Sequence, residues 1–361
     1  MAKVIFITPE INRATGIVRV VNIWANHLSL DLENEITIVA KGTENPYYDF
    51  NSNIKIKKYN FDFKSKGIGI FYNVIQLFRY LRSLKNQKDI NVIIDKSLLI
   101  EPLWILRKLG LFKDINLIYF THSGSSAFRE FYLSRPHTKH RVDMMFKSFD
   151  KIVCLFDDET NYPLMVQKEK LFFLSNPIPF ELSYIDMKAK ENIVLYLGRV
   201  RIEKGINTLL EAWEMVDHIG WKLQIVGDGK EKEEFINLAK RLNILQSVSF
   251  IESQTDVKSY YEASKIFVLP SLYEGMPMTL LEAMACKSTV ISSNTAGGIR
   301  LINNNKTGML FEKKNSQELA KKLTYLMRDK HQRENLANSA YSYVHQHTIE
   351  NISKNWSDIL L

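Results

Sequence analysis

Two carboxylates and a run of loop-forming residues stand together in the second half of the sequence. Glu274 and Glu282 lie eight residues apart, and Gly275 and Pro277 between them favour a tight loop before a helical pattern. Carboxylates accept hydrogen bonds from sugar or ribose hydroxyls, and the amides at a helix start can receive a phosphate. The segment therefore has the residue types that hold a phosphorylated, polyhydroxylated ligand.

Both acids also have ordinary structural explanations. Thr279 and Glu282 have the spacing of a capping box, in which Glu282 would serve only the backbone at the start of a helix. Glu274 would then be a solvated loop acid. Spacing alone leaves the functional and the structural interpretation about even for each acid.

A second segment carries fixed positive charge. Gly198 and Arg199 directly follow a predicted strand, and Lys204 and Gly205 stand at a predicted helix start. A guanidinium is a planar fork and an ammonium is a point charge, so the two beside a helix N-terminus suit a diphosphate. The alternative is a pair of surface cations on a strand–helix loop.

The elements that must position these residues alternate regularly. Short apolar, β-branched runs alternate with longer amphipathic runs, which predicts strand–helix units around parallel sheets covered on both faces. Predicted strands are 3–8, 36–40, 54–59, 92–95, 117–121, 151–155, 193–197, 222–226, 248–251, 266–269, 289–292 and 309–311. Predicted helices lie near 17–30, 70–85, 98–110, 137–148, 157–166, 204–217, 231–242, 256–263, 279–285 and 316–328 (capped by Asn315 with Glu318), and the last 30 residues look wholly helical.

The chain is long enough for two domains. Two prolines in the segment 175–179 interrupt the alternation, which predicts an interdomain connection. The predicted α/β architecture has two Rossmann-like, doubly wound domains, residues 1–175 and 176–340, and a C-terminal helix, residues 341–361, that packs towards the first. Such sheets bind ligands outside the carboxyl ends of their strands, so the two domains are expected to face a cleft.

Composition excludes several protein classes. Hydrophobic residues make up 45% and charged residues 24% of the chain, as in ordinary globular proteins. No apolar run approaches the ~20 residues that span a bilayer, and the run 4–7 is too short for a signal peptide. We therefore predict a cytoplasmic protein in which Cys154 and Cys286 are buried free thiols.

Positive charge is concentrated in the first half of the chain. Residues 1–175 carry 25 basic and 18 acidic side chains, and the segment 51–90 has nine basic and two acidic ones. Aromatic residues such as Phe71 and Tyr72 interleave with these charges, which favours an anionic membrane face or a lipid diphosphate over nucleic acid. The alternative is an ordinary packed helix with a solvated basic face.

The segment 270–285 resembles the donor-binding signature of glycosyltransferase family 4, in which a loop Glu and Gly precede a second Glu and Ala-Met-Ala. The resemblance is strong over residues 193–312 and weak in the first half. It rests on Pro270-Ser271, Glu274-Gly275 and Glu282-Ala283-Met284-Ala285, and also on Leu197-Gly198-Arg199, Glu203-Lys204-Gly205, Gly227-Asp228-Gly229, Gly297-Gly298 and Thr307-Gly308.

The resemblance implies a GT-B fold and a retaining transfer from a nucleotide sugar, expected to be a UDP-sugar, with no cofactor and no metal ion. Arg199 and Lys204 would hold the diphosphate and Glu282 the ribose hydroxyls. Glu274 would contact the donor sugar, and His122 would line it. The implied catalytic set is Glu274, His122, Arg199 and Lys204; the implied donor-binding set adds Gly16, Gly198, Gly227, Gly275, Met276, Pro277, Met278, Thr279 and Glu282.

The sequence departs from the family pattern at three places. Gly16 stands alone where the family has two adjacent glycines, and Arg13 could compensate by its charge. Arg300-Leu301 replaces Pro-Glu after the paired glycines, and Lys287 replaces a glycine after Cys286. The first two changes put the fit of the donor and the acceptor in question, and the third is expected at the surface.

The resemblance also implies an acceptor: a polyprenyl-diphosphate-linked saccharide or related glycan of a bacterial surface polysaccharide. One alternative is a non-catalytic GT-B subunit that stabilises a partner enzyme, but such a subunit has no need of Arg199, Lys204, Glu274 and Glu282 together. Another is a nicotinamide-linked oxidoreductase or epimerase. The first predicted strand is not followed by the Gly-x-Gly-x-x-Gly pattern of such enzymes.

Overall fold

The computed structural model describes residues 2–8, 10–30, 34–41, 46–61, 68–84, 87–95, 99–122, 144, 146–156 and 167–360. Within these residues the chain forms two compact units: unit 1 is Met1–Pro177 with Ile352–Leu361, and unit 2 is Ile178–Asn351. The first division lies within two residues of the predicted one. The return to unit 1 comes later than predicted, because residues 341–351 stay with unit 2.

Unit 1 is built on a parallel sheet that contains seven strands in its described part. The strand order is β3-β2-β1-β4-β5-β6-β7, so the first strand pairs with the second and the fourth. The last strand was not predicted, because three half-buried residues have no readable period. The strands are β1 Lys3–Ile7, β2 Glu35–Ala40, β3 Lys55–Lys58, β4 Ile90–Ile94, β5 Ile115–Phe120, β6 Lys151–Cys154 and β7 Leu171–Phe173.

Three long helices are described in unit 1, namely α1 Gly16–Leu30, α2 Ile68–Arg82 and α3 Ile100–Lys108. The first buries Val18, Val21, Ala25 and Leu28, which are three or four residues apart and share one helix face. The predicted helix near 157–166 lies outside the described residues, and so does most of that near 137–148.

Unit 2 is a second parallel sheet, whose strands are β8 Glu191–Leu197, β9 Lys222–Val226, β10 Val248–Ile251, β11 Ser264–Leu269, β12 Thr289–Ser293 and β13 Met309–Phe311. Their order is β10-β9-β8-β11-β12-β13. The chain adds β9 and then β10 on one side of β8, and it adds β11, β12 and β13 in turn on the other side. The topological switch point therefore lies between β8 and β11, where doubly wound sheets bind ligands.

The helices of unit 2 follow the predicted alternation, with one addition and one correction. The addition is α8, whose sequence contains two adjacent glycines, Gly297 and Gly298, and glycine is a poor helix former. The correction concerns the C-terminal helix predicted over residues 341–361. The last 30 residues are helical almost throughout, as predicted, but they form several pieces separated by 3-10 turns instead of one helix. The helices are α4 Ile206–Glu214, α5 Lys232–Arg241, α6 Lys258–Ala263, α7 Met278–Ala285, α8 Ala296–Leu301, α9 Ser316–Arg328, α10 Lys330–Val344 and α11 Ile349–Ile352, and α12 Trp356–Ile359 follows in unit 1.

Two local predictions are confirmed. Asn315 caps α9, since its side chain accepts a hydrogen bond from the Glu318 amide at 3.0 Å. Cys154 and Cys286 are both buried and are not joined in a disulfide, and burial raises the pKa of Cys286 to about 12. Among the described residues, no helix combines the length and the apolar character needed to cross a membrane.

Candidate functional site

Two loops of unit 2 lie at its switch point. Gly198 and Arg199 directly follow β8, while the loop from Ser271 to Pro277 follows β11 and leads into α7. Since β8 and β11 are neighbours in the sheet, their carboxyl ends bring the two predicted segments together. The predicted diphosphate segment and the predicted sugar segment thus share one edge of unit 2.

An ion pair joins the two loops. Lys204 Nζ lies 2.6 Å from Glu274 Oε1. The two side chains are 17% and 13% exposed, so their charges are screened less than those of a surface pair. A cation suited to a phosphate and a carboxylate suited to a hydroxyl are therefore side by side.

Arg199 belongs to the same neighbourhood. Its backbone oxygen accepts a hydrogen bond from the hydroxyl of the buried Tyr196 at 2.7 Å, while its side chain is exposed. The pKa of Tyr196 is raised well above its ordinary value by burial and by the charge of Glu274, and the charge of Arg199 opposes that rise. Both charges therefore lie close enough to the Tyr196 hydroxyl to act on it.

Glycines let the backbones of the two loops meet. Gly205 has a φ of 66°, and a Cβ there would overlap the carbonyl oxygen of Pro270. The Leu272 amide donates to the Glu203 carbonyl at 2.9 Å beside it. Gly227 packs against the Gly198 carbonyl in the same way, so packing alone accounts for a glycine at position 227. Its contact with a ligand remains a prediction.

The start of α7 offers backbone amides to the site. Its N-cap is Pro277, which has no side-chain capping bond within the described part of the chain. Met276, Pro277 and Met278 are buried, whereas Gly275 and Thr279 are partly exposed. The five residues predicted to bind the donor through this loop therefore include three that a ligand would reach through the backbone or after a side-chain shift.

The capping-box explanation for Glu282 is wrong. The helix begins at Met278, so Thr279 lies inside it, and Glu282 points to a different partner. Glu282 Oε2 accepts a hydrogen bond from the hydroxyl of Tyr261 at 2.7 Å, and the side chain is 1% exposed. This acid is therefore held inside unit 2, and its contact with a ribose stays a prediction.

The site residues predicted in unit 1 lie along one edge of its sheet. Gly16 begins α1 beyond β1, and His122 follows β5, with β4 between these two strands. The His122 ring stacks on Phe120 with centroids 4.6 Å apart. A Cβ on Gly16 would meet no described atom within 4 Å, so protein packing does not require a glycine there. Arg13 forms an exposed pair with Glu10 at 3.5 Å.

Comparison with known proteins shows a likeness to one family. Residues 184–343, which lie within unit 2, match the family model described as glycosyl transferases group 1. Over these residues the chain is similar to the group 1 glycosyltransferases. The matched segment includes the Lys204–Glu274 pair, and the match favours sugar transfer over nicotinamide chemistry.

Three similar proteins extend this likeness beyond unit 2 to the whole chain. The amylovoran biosynthesis glycosyltransferase AmsD of Erwinia amylovora is 27% identical over 100% of both chains. The Campylobacter jejuni enzyme named GalNAc-alpha-(1->4)-GalNAc-alpha-(1->3)-diNAcBac-PP-undecaprenol alpha-1,4-N-acetyl-D-galactosaminyltransferase is 28% identical over 100% of this chain and 98% of its own. The structure of Anabaena HepE in complex with UDP and glucose has a TM-score of 0.76 at 15% identity and covers 99% of each chain. The likeness to that structure confirms the GT-B fold.

Sequence reasoning missed two supporting residues of the site. Tyr261 lies in a six-residue helix and Lys190 precedes a strand, so neither belongs to a motif that the sequence shows. Lys190 is buried and donates to the carbonyls of Tyr261, Glu262 and Ser264. Within the described residues, no cluster of three or more His, Cys, Asp or Glu side chains is arranged to hold a metal ion.

Proposed function

We propose that this protein is a retaining glycosyltransferase of group 1 that moves a sugar from a UDP-sugar to a hydroxyl of a polyprenyl-diphosphate-linked saccharide. The observation that carries the proposal is the Lys204–Glu274 pair at the switch point of unit 2. Few other ligands combine an anionic diphosphate with the many hydroxyls that this pair suits. UDP as the donor nucleotide is supported by HepE, whose structure is described with UDP and glucose.

Each donor group has a proposed partner. Lys204 and Arg199 neutralise the diphosphate together with the amides at the start of α7. Glu274 accepts hydrogen bonds from the donor sugar, and Glu282 accepts them from the ribose. A bound diphosphate competes with Glu274 for the Lys204 ammonium, which releases the Glu274 carboxylate towards the sugar hydroxyls.

The proposed reaction breaks the bond between the sugar anomeric carbon and the diphosphate oxygen. The acceptor oxygen bonds to the same face of that carbon, and its proton passes to the departing phosphate oxygen. Negative charge builds on the leaving diphosphate, so cations already in place stabilise the transition state more than the ground state. Lys204 and Arg199 take this role in place of a metal ion. We therefore expect activity to persist in EDTA.

Unit 1 is the proposed acceptor unit. His122 and Gly16 lie along the carboxyl edge of its sheet. On α2, Phe71 and Tyr72 are 69% and 39% exposed. An exposed aromatic pair on a basic helix suits an anionic membrane surface, where a polyprenyl-linked acceptor resides. The name of the Campylobacter relative specifies an undecaprenol-linked acceptor, which supports this class of acceptor. The proposed place of action is the inner face of the cell membrane.

The donor assignment is tested by binding. Thermal unfolding is measured with UDP, GDP and ADP and with their sugar conjugates. A ligand at 100 times its Kd stabilises the folded chain by about 2.7 kcal/mol, so the expected result is a clear rise in Tm for UDP or a UDP-sugar. A larger rise in Tm with GDP or ADP would show that the donor nucleotide is GDP or ADP instead of UDP. No rise with any of them would contradict the proposed function.

Catalysis is tested by Lys204→Met and Glu274→Gln. Lys204→Met is expected to lower kcat/KM for transfer to a polyprenyl-diphosphate saccharide, or for hydrolysis of the UDP-sugar, by about 100-fold or more. Lys240→Met is the matched control, because Lys240 is exposed on α5 of the same unit. A chain that binds UDP but shows no activity sensitive to either substitution would be the non-catalytic subunit.

Membrane contact is tested by sedimentation with vesicles of phosphatidylglycerol. Replacing Phe71 and Tyr72 together by Ser is expected to lower the bound fraction severalfold. The control replaces Tyr325, which is also exposed but lies in unit 2. Equal binding of the two variants would show that α2 is not the contact surface.

A further inference from the structure

The buried acid of the site is held by a second side chain from another helix. The hydroxyl of Tyr261 on α6 donates to Glu282 Oε2 on α7 at 2.7 Å, and Tyr261 is fully buried. We propose that Tyr261 is a positioning residue for nucleotide binding: it orients the Glu282 carboxylate so that this group accepts hydrogen bonds from the ribose hydroxyls. This inference rests on the proposed function.

The geometry suits orientation. A phenol has one proton to donate, and a carboxylate has about four acceptor positions, so one bond from Tyr261 restrains the acid without exhausting it. The Tyr261 ring packs at 5.5 Å from Phe267 of β11, which is the strand that precedes the Glu274 loop. The tyrosine thus connects the strand, the loop that follows it and the helix on which Glu282 lies.

Lys190 restrains the backbone of Tyr261 in turn. Its Nζ donates to the carbonyls of Tyr261, Glu262 and Ser264 at 2.8, 2.9 and 3.0 Å. These carbonyls lie at the C-terminal end of α6, where a helix leaves acceptors unsatisfied. With Lys190 3% exposed, the ammonium fixes that helix end and with it the backbone position from which the Tyr261 side chain reaches Glu282.

A purely structural tyrosine would behave differently from a positioning one. If the Tyr261–Glu282 bond served only packing, its loss would lower stability and weaken every nucleotide alike. If it orients Glu282, its loss weakens those ligands that have ribose hydroxyls and spares those that lack them. A comparison of ligands with and without ribose hydroxyls therefore distinguishes the two roles.

The experiment measures Kd by calorimetry for UDP and 2′,3′-dideoxy-UDP. The unsubstituted chain is expected to bind UDP at least tenfold more tightly than the dideoxy compound, because a hydrogen bond to a charged group contributes about 1.5–3 kcal/mol. Tyr261→Phe is expected to weaken UDP binding about five- to tenfold and to leave the affinity for dideoxy-UDP unchanged. Glu282→Gln is expected to reduce the preference for UDP over dideoxy-UDP in the same way. The double variant, with Tyr261→Phe and Glu282→Gln together, is expected to bind UDP only slightly more weakly than either single variant.

Tyr260→Phe is the matched control, because Tyr260 is its partly exposed neighbour on α6; it is expected to keep the full preference for UDP. Equal weakening of both ligands by Tyr261→Phe, or an unchanged preference, would overturn the positioning role while UDP binding still supports the proposed function. An unchanged preference in Glu282→Gln would overturn the ribose contact and the positioning role with it. If the unsubstituted chain binds neither UDP nor a UDP-sugar, the proposed function itself fails.

Discussion

At the scale of residues, the charges of the site are interdependent. Lys204 and Glu274 neutralise each other at 2.6 Å while both are largely buried. Removing one leaves the other as an uncompensated charge in a poorly solvated place, which costs stability as well as function. Kinetic effects of either substitution are therefore interpretable only beside an unfolding measurement on the same variant.

Lys190 makes a separate prediction about pH. Burial lowers the pKa of Lys190 to about 8 from its ordinary 10.5. Between those values the unfolded chain binds more protons than the folded one, so the free energy of unfolding rises with pH. From pH 7 to pH 9.5 the unsubstituted chain is expected to gain about 2 kcal/mol relative to Lys190→Met. Urea unfolding at the two pH values measures the difference.

Lys240→Met serves as the control for that series, since Lys240 is exposed. Its free energy of unfolding is expected to change with pH in the same way as that of the unsubstituted chain. Parallel pH profiles for Lys190→Met and the unsubstituted chain would show that the ammonium is not buried in a low-dielectric place.

At the scale of elements, the site depends on how closely two loops approach. Substitution by Ala at Gly205, compared with the same substitution at Gly220, tests how much this approach matters. Both have positive φ, 66° and 76°, but a Cβ on Gly205 overlaps the Pro270 carbonyl and a Cβ on Gly220 meets no described atom within 4 Å. Each change to Ala is expected to lower the free energy of unfolding by about 1–2 kcal/mol, because alanine is strained in the left-handed region.

Gly205→Ala is expected to cost at least about 2 kcal/mol more than Gly220→Ala, because its methyl group forces the β8 and β11 loops apart. It should also weaken UDP binding by tenfold or more, whereas Gly220→Ala should leave binding unchanged. Urea unfolding and calorimetry measure the two effects. Equal stabilities for the two variants would mean that the loops move apart at little cost.

The backbone conformation just after α7 bears on one departure from the family pattern. Lys287, where the family commonly has glycine, follows α7 and has a φ of 51°. The left-handed region favours glycine, which accounts for the usual residue at a helix end. Here Lys287 adopts that conformation, and its Nζ lies 4.7 Å from the centroid of the Tyr341 ring.

At the scale of the whole molecule, the end of the chain completes unit 1. Trp356 is fully buried, and its ring lies 5.4 Å from Trp24 and within 6.5 Å of Phe6 and Phe120. The backbone of Ile359 also accepts a hydrogen bond from the Asn116 side chain. A segment more than 200 residues away in sequence is thus part of the first core.

Trp356→Ala is expected to lower the free energy of unfolding of unit 1 by about 3–5 kcal/mol, because it leaves a large cavity. Trp104→Ala, at a partly buried position on α3, is the comparison and should cost less. Circular dichroism during urea unfolding measures both. A cost for Trp356→Ala no larger than that for Trp104→Ala would contradict the role of the C-terminal segment in this core.

Much of the architecture is predictable because its signals are local. Periods of apolar residues predicted the strands near 222–226, 248–251 and 309–311 at the bounds that the structure has. Two elements were missed because their local signals are weak: β7 is a half-buried run of three residues, and α8 contains two adjacent glycines. Spacing alone could not tell a capping Glu282 from a buried one, because its partner Tyr261 is 21 residues away.

The sequence by itself determined that the chain has two α/β halves and that charged residues and glycines follow particular strands. Local periodicity and loop residue types encode these features directly. Only the tertiary structure decided which loops meet, because strand order depends on where each helix carries the chain across its sheet. The pairing of Lys204 with Glu274, the burial of Glu282 and the return of Trp356 to the first core all follow from such long-range packing.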